Sequence, residues 1–366
     1  MTEISVIIPT KNEEKTIGIC LEKIQNVFKE NKIDGEIIVS DSSTDQTPMI
    51  AKSYGAKVVT PDKVGYGYAY RYGFKHASGD YIIIGDADNT YDFYDIPRLL
   101  EPLRKGEADM VMGSRLKGTI KKGAMPWLHR YIGNPFLTFV LNCLYRAGVS
   151  DSHSGFRALR KDALEKMNLR TVGMEFASEM IVEAVRKDLR IREVPITYHP
   201  RRGESNLSSF SDGWRHLKFM LISSPEYLFT LPGITLFLSG LSVMLLTWLT
   251  GSPENTLTFI TGSLLTIVGY QLFALGIFAD IHGAQQRDHE INRITERVLK
   301  IINPKRSAAA GTGFLTLGTM PIIEILDGQM PGYGGSSLTT IAALTAALIG
   351  IQTISYSFFL AIITGE

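Results

Sequence analysis

Along the first two hundred positions the chain shows two rhythms. Short β-branched runs end abruptly in a proline, a glycine or an acid, and apolar residues then recur every three or four positions. Ile4 to Pro9 predicts a strand stopped by proline, and Ile17, Leu21, Ile24 and Phe28 predict the helix that follows. Glu36 to Asp41 predicts a second strand. Ser42 to Asp45 can cap a helix reaching about Tyr54, Lys57 to Val59 predicts a short third strand, and Gly65 to His76 a helix despite its glycines. Tyr81 to Ile84 is apolar throughout, as expected of a strand covered on both faces in a parallel sheet. Further along, Ile96 to about Lys105 predicts a helix, Ala108 to Gly113 a strand, Glu175 onward a helix with Ile181, Val182 and Val185 on one side, and Ile191 to Tyr198 a strand. Strands alternating with helices predict an α/β class: a doubly wound, mostly parallel sheet.

After about position 209 the rhythm changes. Phe210 to Leu221 mixes apolar residues with Trp214, Arg215, His216 and Lys218, which predicts an amphipathic helix lying on a bilayer. Tyr227 to Pro253 and Asn255 to Ala279 carry no charge, and each exceeds the ~20 residues a hydrocarbon core requires. Thr250 to Glu254 predicts the turn of that hairpin. Gln286 to Ile302 predicts a charged amphipathic helix with Ile291, Ile294, Val298 and Ile301 on one face. Ser307 to Ile325, broken by Pro321, predicts a weaker span or a re-entrant segment, and Leu338 to Thr364 a strong span, with the second turn at Asp327 to Ser337. The expectation is an all-α membrane domain of about four transmembrane helices in two hairpins. Its Gly- and Ala-rich faces suit close helix packing, a homo-oligomer included. Arg215 and Lys218 before the first hairpin, and Arg287, Arg293, Arg297 and Lys300 after it, predict that this side faces the cytosol.

Composition adds exclusions. The formal charge of the 366 residues is +1, so nothing points to nucleic acid. Cys20 and Cys143 are the two cysteines and fall in helical apolar patterns, which excludes a disulfide framework and a cysteine metal site. No basic-then-apolar leader precedes Ile4, so the amino-terminal half is expected to stay in the cytosol.

The candidate chemistry starts where Tyr81–Ile84 gives way to Gly85-Asp86-Ala87-Asp88-Asn89-Thr90. Ligands of open α/β sheets bind beyond the carboxyl ends of the strands. Two carboxylates at that place make a hard oxygen site for Mg²⁺ or Mn²⁺, able to hold a diphosphate and stabilise its departure.

Ile7-Ile8-Pro9-Thr10-Lys11-Asn12-Glu13-Glu14, Val39 to Asp45, and Gly79-Asp80 through Asp86-Ala87-Asp88 resemble, in order and spacing, the inverting family 2 glycosyltransferases, whose nucleotide-sugar domain is the GT-A fold. Met112-Gly113-Ser114-Arg115, Asp151 to Arg157 and Arg202 to Ser208 look like the polyprenyl-phosphate branch, the dolichyl-phosphate mannose synthases and the dolichyl- or undecaprenyl-phosphate glucosyltransferases. That resemblance, over about residues 4–220, implies that Pro9, Lys11, Glu13, Asp41, Asp86, Ala87 and Asp88 contact the nucleotide sugar. It implies that Asp86, Asp88 and Thr90 hold the metal, and that Asp88, Arg115 and Arg157 carry the chemistry. Arg115, Arg202 and Ser205 would take the acceptor phosphate. Lys11 stands where members often carry an aromatic, Thr90 where mannose synthases carry Gln, and Asn206 where they often carry Lys; the last two departures favour glucose over mannose. His153 reads as an ordinary loop histidine. No base is required, because a lipid monophosphate with a second pKa near ~6 is already anionic at neutral pH.

The implied protein is a multi-pass membrane hexosyltransferase: a cytosolic GT-A catalytic domain at 1–209, a juxtamembrane helix at 210–225, a hairpin at 226–282, a cytosolic linker helix at 283–306 and a second hairpin at 307–366. Its expected partners are a nucleoside diphosphate hexose and a polyprenyl phosphate. The alternatives are a GDP-mannose-dependent mannose synthase, a processive polysaccharide synthase, against which the lack of a Gln-x-x-Arg-Trp motif counts, and a non-catalytic membrane scaffold.

Overall fold

A computed structural model describes residues 2–202, 209–250, 256–287, 291–301, 303–326 and 337–365. It divides into two compact units, Met1–Met220 and Leu221–Glu366.

The first unit is built on seven strands: β1 (Ile4–Thr10), β2 (Gly35–Asp41), β3 (Lys57–Val59), β4 (Tyr81–Ile84), β5 (Met110–Ile120), β6 (Arg157–Arg160) and β7 (Ile191–Tyr198). They lie in the order β3-β2-β1-β4-β6-β5-β7. β6 runs antiparallel to β4 and β5, and every other pairing is parallel. The sheet is therefore mixed, and mostly parallel as the pattern predicts. Its helices are α1 (Ile17–Glu30), α2 (Thr47–Ser53), α3 (Tyr66–Phe74), α4 (Ile96–Arg104), α5 (Asn134–Tyr145), α6 (Lys161–Lys166), α7 (Phe176–Arg186) and α8 (Ser209–Ile222), the last crossing the boundary between the units.

The apolar runs are continuous because both faces of the sheet are covered. Ile4, Val6, Ile8 and Ile83 pack in one core with Leu21 and Ile24 of α1 and Leu99 and Leu100 of α4. Ile7, Ile82 and Ile84, which point the other way, pack in a second core with Tyr70 of α3 and Phe176 and Met180 of α7. The chain steps from β1 outward to β2 and β3, then returns to β4 on the other side of β1. The crevice between β1 and β4 is thus the point where the strand order reverses, the usual ligand site of such sheets.

Four elements differ from expectation. The strand opening at Ala108 does not stop at Gly113, because the second half of β5 pairs with β7, Thr119 facing Thr197 and Ile120 facing Tyr198. The segment Leu116–Ile120 is therefore strand, and Arg115 lies within β5. β6, α5 and the six-residue α6 went unpredicted. β6 is four residues long, below the length at which periodicity is readable. α5 is apolar on most of its surface, although Pro135 in its first turn is a helix-start signal.

The second unit holds α9 (Leu231–Thr250), α10 (Thr256–Arg287), α11 (Arg293–Ile301), α12 (Pro304–Leu326) and α13 (Ser337–Thr364). Among the described residues three helices are long and apolar enough to cross a membrane: Glu226–Thr250, Thr256–Gln286 and Ser337–Thr364. The expected weak span, Ser307 to Ile325, lies in α12, a continuous helix through Pro321 that falls short of that standard. Three candidate spans replace the four expected. α10 also continues past the predicted hairpin end at 282, and α11 begins later than the predicted linker helix. The predicted turns at 251–254 and 327–336 lie outside the described residues. Small residues bring the helices together: a Cβ on Gly269 would meet the Gly233 carbonyl oxygen at 2.8 Å, and one on Gly350 would meet that of Gly311 at 2.7 Å.

Candidate active site

The carboxyl ends of β1, β2 and β4 present acids to one edge of the sheet. Thr10 and Asp41 end β1 and β2 side by side, and the Thr10 hydroxyl donates to Asp41 Oδ1 at 2.7 Å. Asn12, in the left-handed region at φ 59°, turns the chain after β1. Its side-chain oxygen accepts from the Thr44 amide at 2.8 Å, tying this loop to the one after β2. Glu13 is held in the same way, its amide donating to Thr47 Oγ1 at 2.9 Å. Burial pushes the Glu13 carboxyl up from its ordinary value, against the opposing charge of Arg201.

Beyond β4, Asp86 and Asp88 face different surroundings. Tyr66 and Tyr70, one turn apart on α3, donate to Asp86 Oδ1 at 2.9 and 3.3 Å. Gly155 fits beneath, since a Cβ there would lie 3.0 Å from Asp86 Oδ2 and 2.9 Å from the Tyr66 hydroxyl. Burial first, then the Asp88 charge, push the Asp86 carboxyl up to about 7, the two tyrosine hydroxyls pulling the other way. Asn89, at φ 60°, folds the next residue back, so that the Thr90 amide and hydroxyl donate to Asp88 Oδ1 at 3.0 and 2.6 Å. Thr90 therefore orients Asp88, where a direct metal ligand was expected. Asp88 Oδ2 turns towards Arg201.

Arg201 is the main residue that sequence reasoning missed. One of its terminal nitrogens lies 2.7 Å from Glu13 Oε1 and the other 3.4 Å from Asp88 Oδ2, so the guanidinium bridges the acids on either side of the β1–β4 crevice. The stretch leading to it is pinned, with Tyr198 bridging to Tyr91 and the His199 amide donating to the Thr90 carbonyl at 2.8 Å. Arg201-Arg202 is a basic pair in the sequence, and no pattern says which member turns inward. Arg202 is exposed, and Ser205 lies outside the described residues. The paired tyrosines were legible in principle, because positions i and i+4 share a helix face.

The two other arginines are internal. Arg115 grips Asp151 with Nε and Nη2, both at 2.8 Å, and its amide donates to the same carboxylate at 3.0 Å. The Tyr198 ring lies 5.1 Å beneath its guanidinium. Burial alone would raise the Asp151 carboxyl, but the Arg115 charge and hydrogen bonds hold it below the ordinary range. Arg157 is fully buried and donates to the carbonyls of Ser152, Ser154 and Ala177 at 2.8–2.9 Å. Burial lowers its pKa to about 10, so it still carries its charge at neutral pH. Arg115 was expected at the acceptor phosphate, and both arginines in the chemistry. In this structure their donors are instead taken up internally, by Asp151 and by the carbonyls of Ser152, Ser154 and Ala177, and the two arginines hold the loop that sets Gly155 beside Asp86.

His153 lies beside this loop, its Nδ1 2.9 Å from Ser152 Oγ and its ring against His216 with centroids 4.3 Å apart. Burial, then the nearby His216 and arginine charges, drive its pKa well below the ordinary range, which leaves a neutral imidazole. Among the remaining predicted residues, Pro9 is half-buried within β1, Lys11 is exposed, and Ala87 is buried with its carbonyl 3.4 Å from Cys20 Sγ.

As a cation site the crevice offers carboxylate oxygen from Asp86 and Asp88, with neighbouring negative charge from Glu13. Among the described residues no group of three or more acids, histidines or cysteines would enclose a metal unaided. A divalent ion held here would complete its shell with substrate oxygens and water, the habit of Mg²⁺ and Mn²⁺ at phosphates. The crowding of charge at Asp86 is relieved by such an ion, so the residues fit it.

The glycosyl transferase family 2 profile matches residues 5–167. Over 98% of this chain, and 88% of the relative, the sequence is 46% identical to the low-salt glycan biosynthesis hexosyltransferase Agl6 of Haloferax volcanii. The chain belongs to glycosyltransferase family 2. Another relative of this transferase, the dolichyl-phosphate hexose transferase of the same organism, is 33% identical over 58% of this chain and 89% of its own length. Among solved structures, glucosyl-3-phosphoglycerate synthase of Mycobacterium tuberculosis in complex with Mn²⁺, UDP-glucose and phosphoglyceric acid superposes with a TM-score of 0.51, at 23% identity, over 60% of this chain and 79% of that one. The likeness is one of fold and gives the amino-terminal sheet of the transferase a GT-A-like architecture.

Proposed function

We propose that this transferase moves a hexose from a nucleoside diphosphate sugar to a polyprenyl phosphate at the cytosolic face of a membrane. The observation that carries this reading is the acid pair Asp86 and Asp88 at the strand-order reversal, in a chain that also holds three candidate membrane spans. A membrane anchor serves an acceptor that cannot leave the bilayer. The names of the relatives support hexosyl transfer, and the dolichyl-phosphate hexose transferase supports the lipid phosphate acceptor.

Asp86 and Asp88 would hold Mg²⁺ or Mn²⁺, which supplies positive charge to the donor diphosphate as it leaves. The remaining work falls to the chain. Asp41, fixed by Thr10, accepts hydrogen bonds from the base or ribose, and Glu13 lies on the same rim. Thr90 fixes Asp88, and Tyr66 and Tyr70 fix Asp86, so the carboxylates are oriented before substrate arrives. The acceptor phosphate oxygen is anionic at neutral pH and attacks without a base, so the neutral His153 takes no proton. Arg201 would exchange its acidic partners for phosphate oxygens of the substrates, and the resemblance gives Arg202 and Ser205 to the acceptor phosphate. Attack on the face opposite the departing diphosphate inverts the anomeric carbon. Glucose is favoured over mannose by Thr90 and Asn206.

The test is a screen of UDP-glucose and GDP-mannose against dolichyl and undecaprenyl phosphate with the purified full chain in lipid. Extractable hexosyl phosphate lipid is expected, more from UDP-glucose. Long polysaccharide from one acceptor, or no transfer from any donor by folded protein, would overturn the reading.

A further inference from the structure

We propose, building on the cation site described above, that Lys23 of α1 is a positioning residue for the acid pair, clamping both ends of the segment that orients Asp86 and Asp88. Asp88 owes its orientation to Thr90, whose amide and hydroxyl donate to Oδ1 at 3.0 and 2.6 Å. Asp86 is hemmed in by Gly155, where a Cβ would lie 3.0 Å from Oδ2. The Gly155 amide donates to the Tyr91 hydroxyl at 2.7 Å, so Tyr91 sets how close that glycine comes. Thr90 and Tyr91 are consecutive, and a single step of chain thus serves both acids. Asn89 and Asp92 flank that step. Lys23 Nζ reaches both: it donates to Asn89 Oδ1 at 3.0 Å and lies 3.3 Å from Asp92 Oδ1.

An exposed ion pair would contribute little, but this lysine is placed differently. Its side chain is 22% exposed, and its partner Asn89 is buried. Asn89 sits at φ 60°, a conformation that persists in a residue other than glycine only when its surroundings hold it. Lys23 is also the middle member of a row. Cys20, Lys23 and Asn26 follow at three-residue intervals on one face of α1. Each meets a later point of the chain beyond β4. The Cys20 thiol donates to the Ala87 carbonyl at 3.4 Å, and Asn26 Nδ2 donates to the Tyr94 hydroxyl at 3.3 Å. Ile17, Leu21 and Ile24 fix the helix itself in the core. α1 is therefore a splint along the carboxylate loop, with Lys23 gripping it where the acids are aimed. The network reaches further, because the other Asp92 oxygen lies 3.9 Å from Nε2 of His199, whose amide holds the Thr90 carbonyl.

The two properties of Lys23 act on a divalent cation with opposite signs. Its charge opposes a second cation nearby, whereas its hydrogen bond keeps the carboxylates aimed. Mn²⁺ binding to the full chain in lipid at pH 8, followed by the paramagnetic resonance of the free ion, separates them for Lys23→Met, Asn89→Gly and the double variant. Glycine keeps the left-handed turn and removes the oxygen that Lys23 holds. Each single variant is expected to bind Mn²⁺ about tenfold more weakly, and the double variant no more weakly than Lys23→Met alone. Tighter or unchanged binding by Lys23→Met, or losses that multiply in the double variant, would overturn the proposal. In the cation-free chain, amide hydrogen exchange of the peptide spanning 87–92 should quicken several-fold in both single variants. Unchanged exchange would overturn the clamp whether or not Mn²⁺ binds, whereas a wild-type chain that binds no Mn²⁺ would overturn the cation site instead.

Discussion

The acid pair should make divalent-cation binding depend on pH in a calculable way. In the cation-free protein the Asp86 carboxyl is pushed up to about 7 by burial and by Asp88. A divalent ion must displace the proton that Asp86 holds there. At pH 6 about 90% of molecules then carry the proton, and at pH 8 about 10%. The apparent affinity for Mn²⁺ should therefore fall about tenfold from pH 8 to pH 6, worth about 1.4 kcal/mol. Below pH 7 the slope should approach one decade per pH unit, and above 7 it should flatten. Calorimetry in buffers of different ionisation enthalpy measures both quantities, and release of close to one proton per ion is expected at pH 6. The linkage has a matching consequence for stability. A carboxyl raised in the fold favours folding at low pH, and that contribution is lost as pH rises through 7. The cation-free protein should melt lower at pH 8 than at pH 6, and Mn²⁺ should recover the difference. An affinity constant across this range, with no proton released, would refute the reasoning about the pair.

Other consequences follow from the same geometry. Arg201→Met leaves Glu13 and Asp88 unpaired. A fully buried pair would cost ~3–5 kcal/mol, and the 23% exposure of Arg201 reduces this to about 2, or roughly 4–8 °C in melting temperature without cation; an unchanged midpoint would contradict the bridge. Asp151→Asn strips Arg115 of a partner where the two side chains are 0% and 8% exposed, and should cost ~3–5 kcal/mol in denaturant unfolding. Lys117→Ala removes an exposed cation from Glu193, whose buried carboxylate keeps its hydrogen bonds from Ser150 and Asp151, and should cost under about 1 kcal/mol; similar losses for both would remove the structural assignment of the Arg115–Asp151 pair. Gly155→Ala places a methyl 3.0 Å from Asp86 Oδ2 and 2.9 Å from the Tyr66 hydroxyl, so kcat should fall about tenfold and stability by about 1–3 kcal/mol, and full activity would show that Asp86 need not be held so closely.

Much of the frame was legible because burial on both faces leaves no alternative pattern. β4 and β7 have the limits that their β-branched runs predict, and Asp86 and Asp88 stand where the apolar run stops. The rest depends on contacts distant in sequence. Nothing near Arg115 announces Asp151, and a phosphate-directed arginine and an internally paired one look alike in a motif. Arg201 and Arg202 are adjacent and chemically equal, and the pinning of His199 by the Thr90 carbonyl decides which crosses the crevice. β5 runs beyond its glycine because β7 offers it a partner. The third expected span weakened because Ser307 to Ile325 is less apolar along its length than the three helices that qualify.

The most direct measurement of the central claim is transfer of labelled hexose from UDP-glucose or GDP-mannose to dolichyl phosphate by the full chain in lipid, for wild type and Asp88→Asn, with Mn²⁺ and with a chelator. The account predicts extractable product from wild type with Mn²⁺ and at least about a hundredfold less from either the variant or the chelated enzyme. Equal product in all three cases would contradict it.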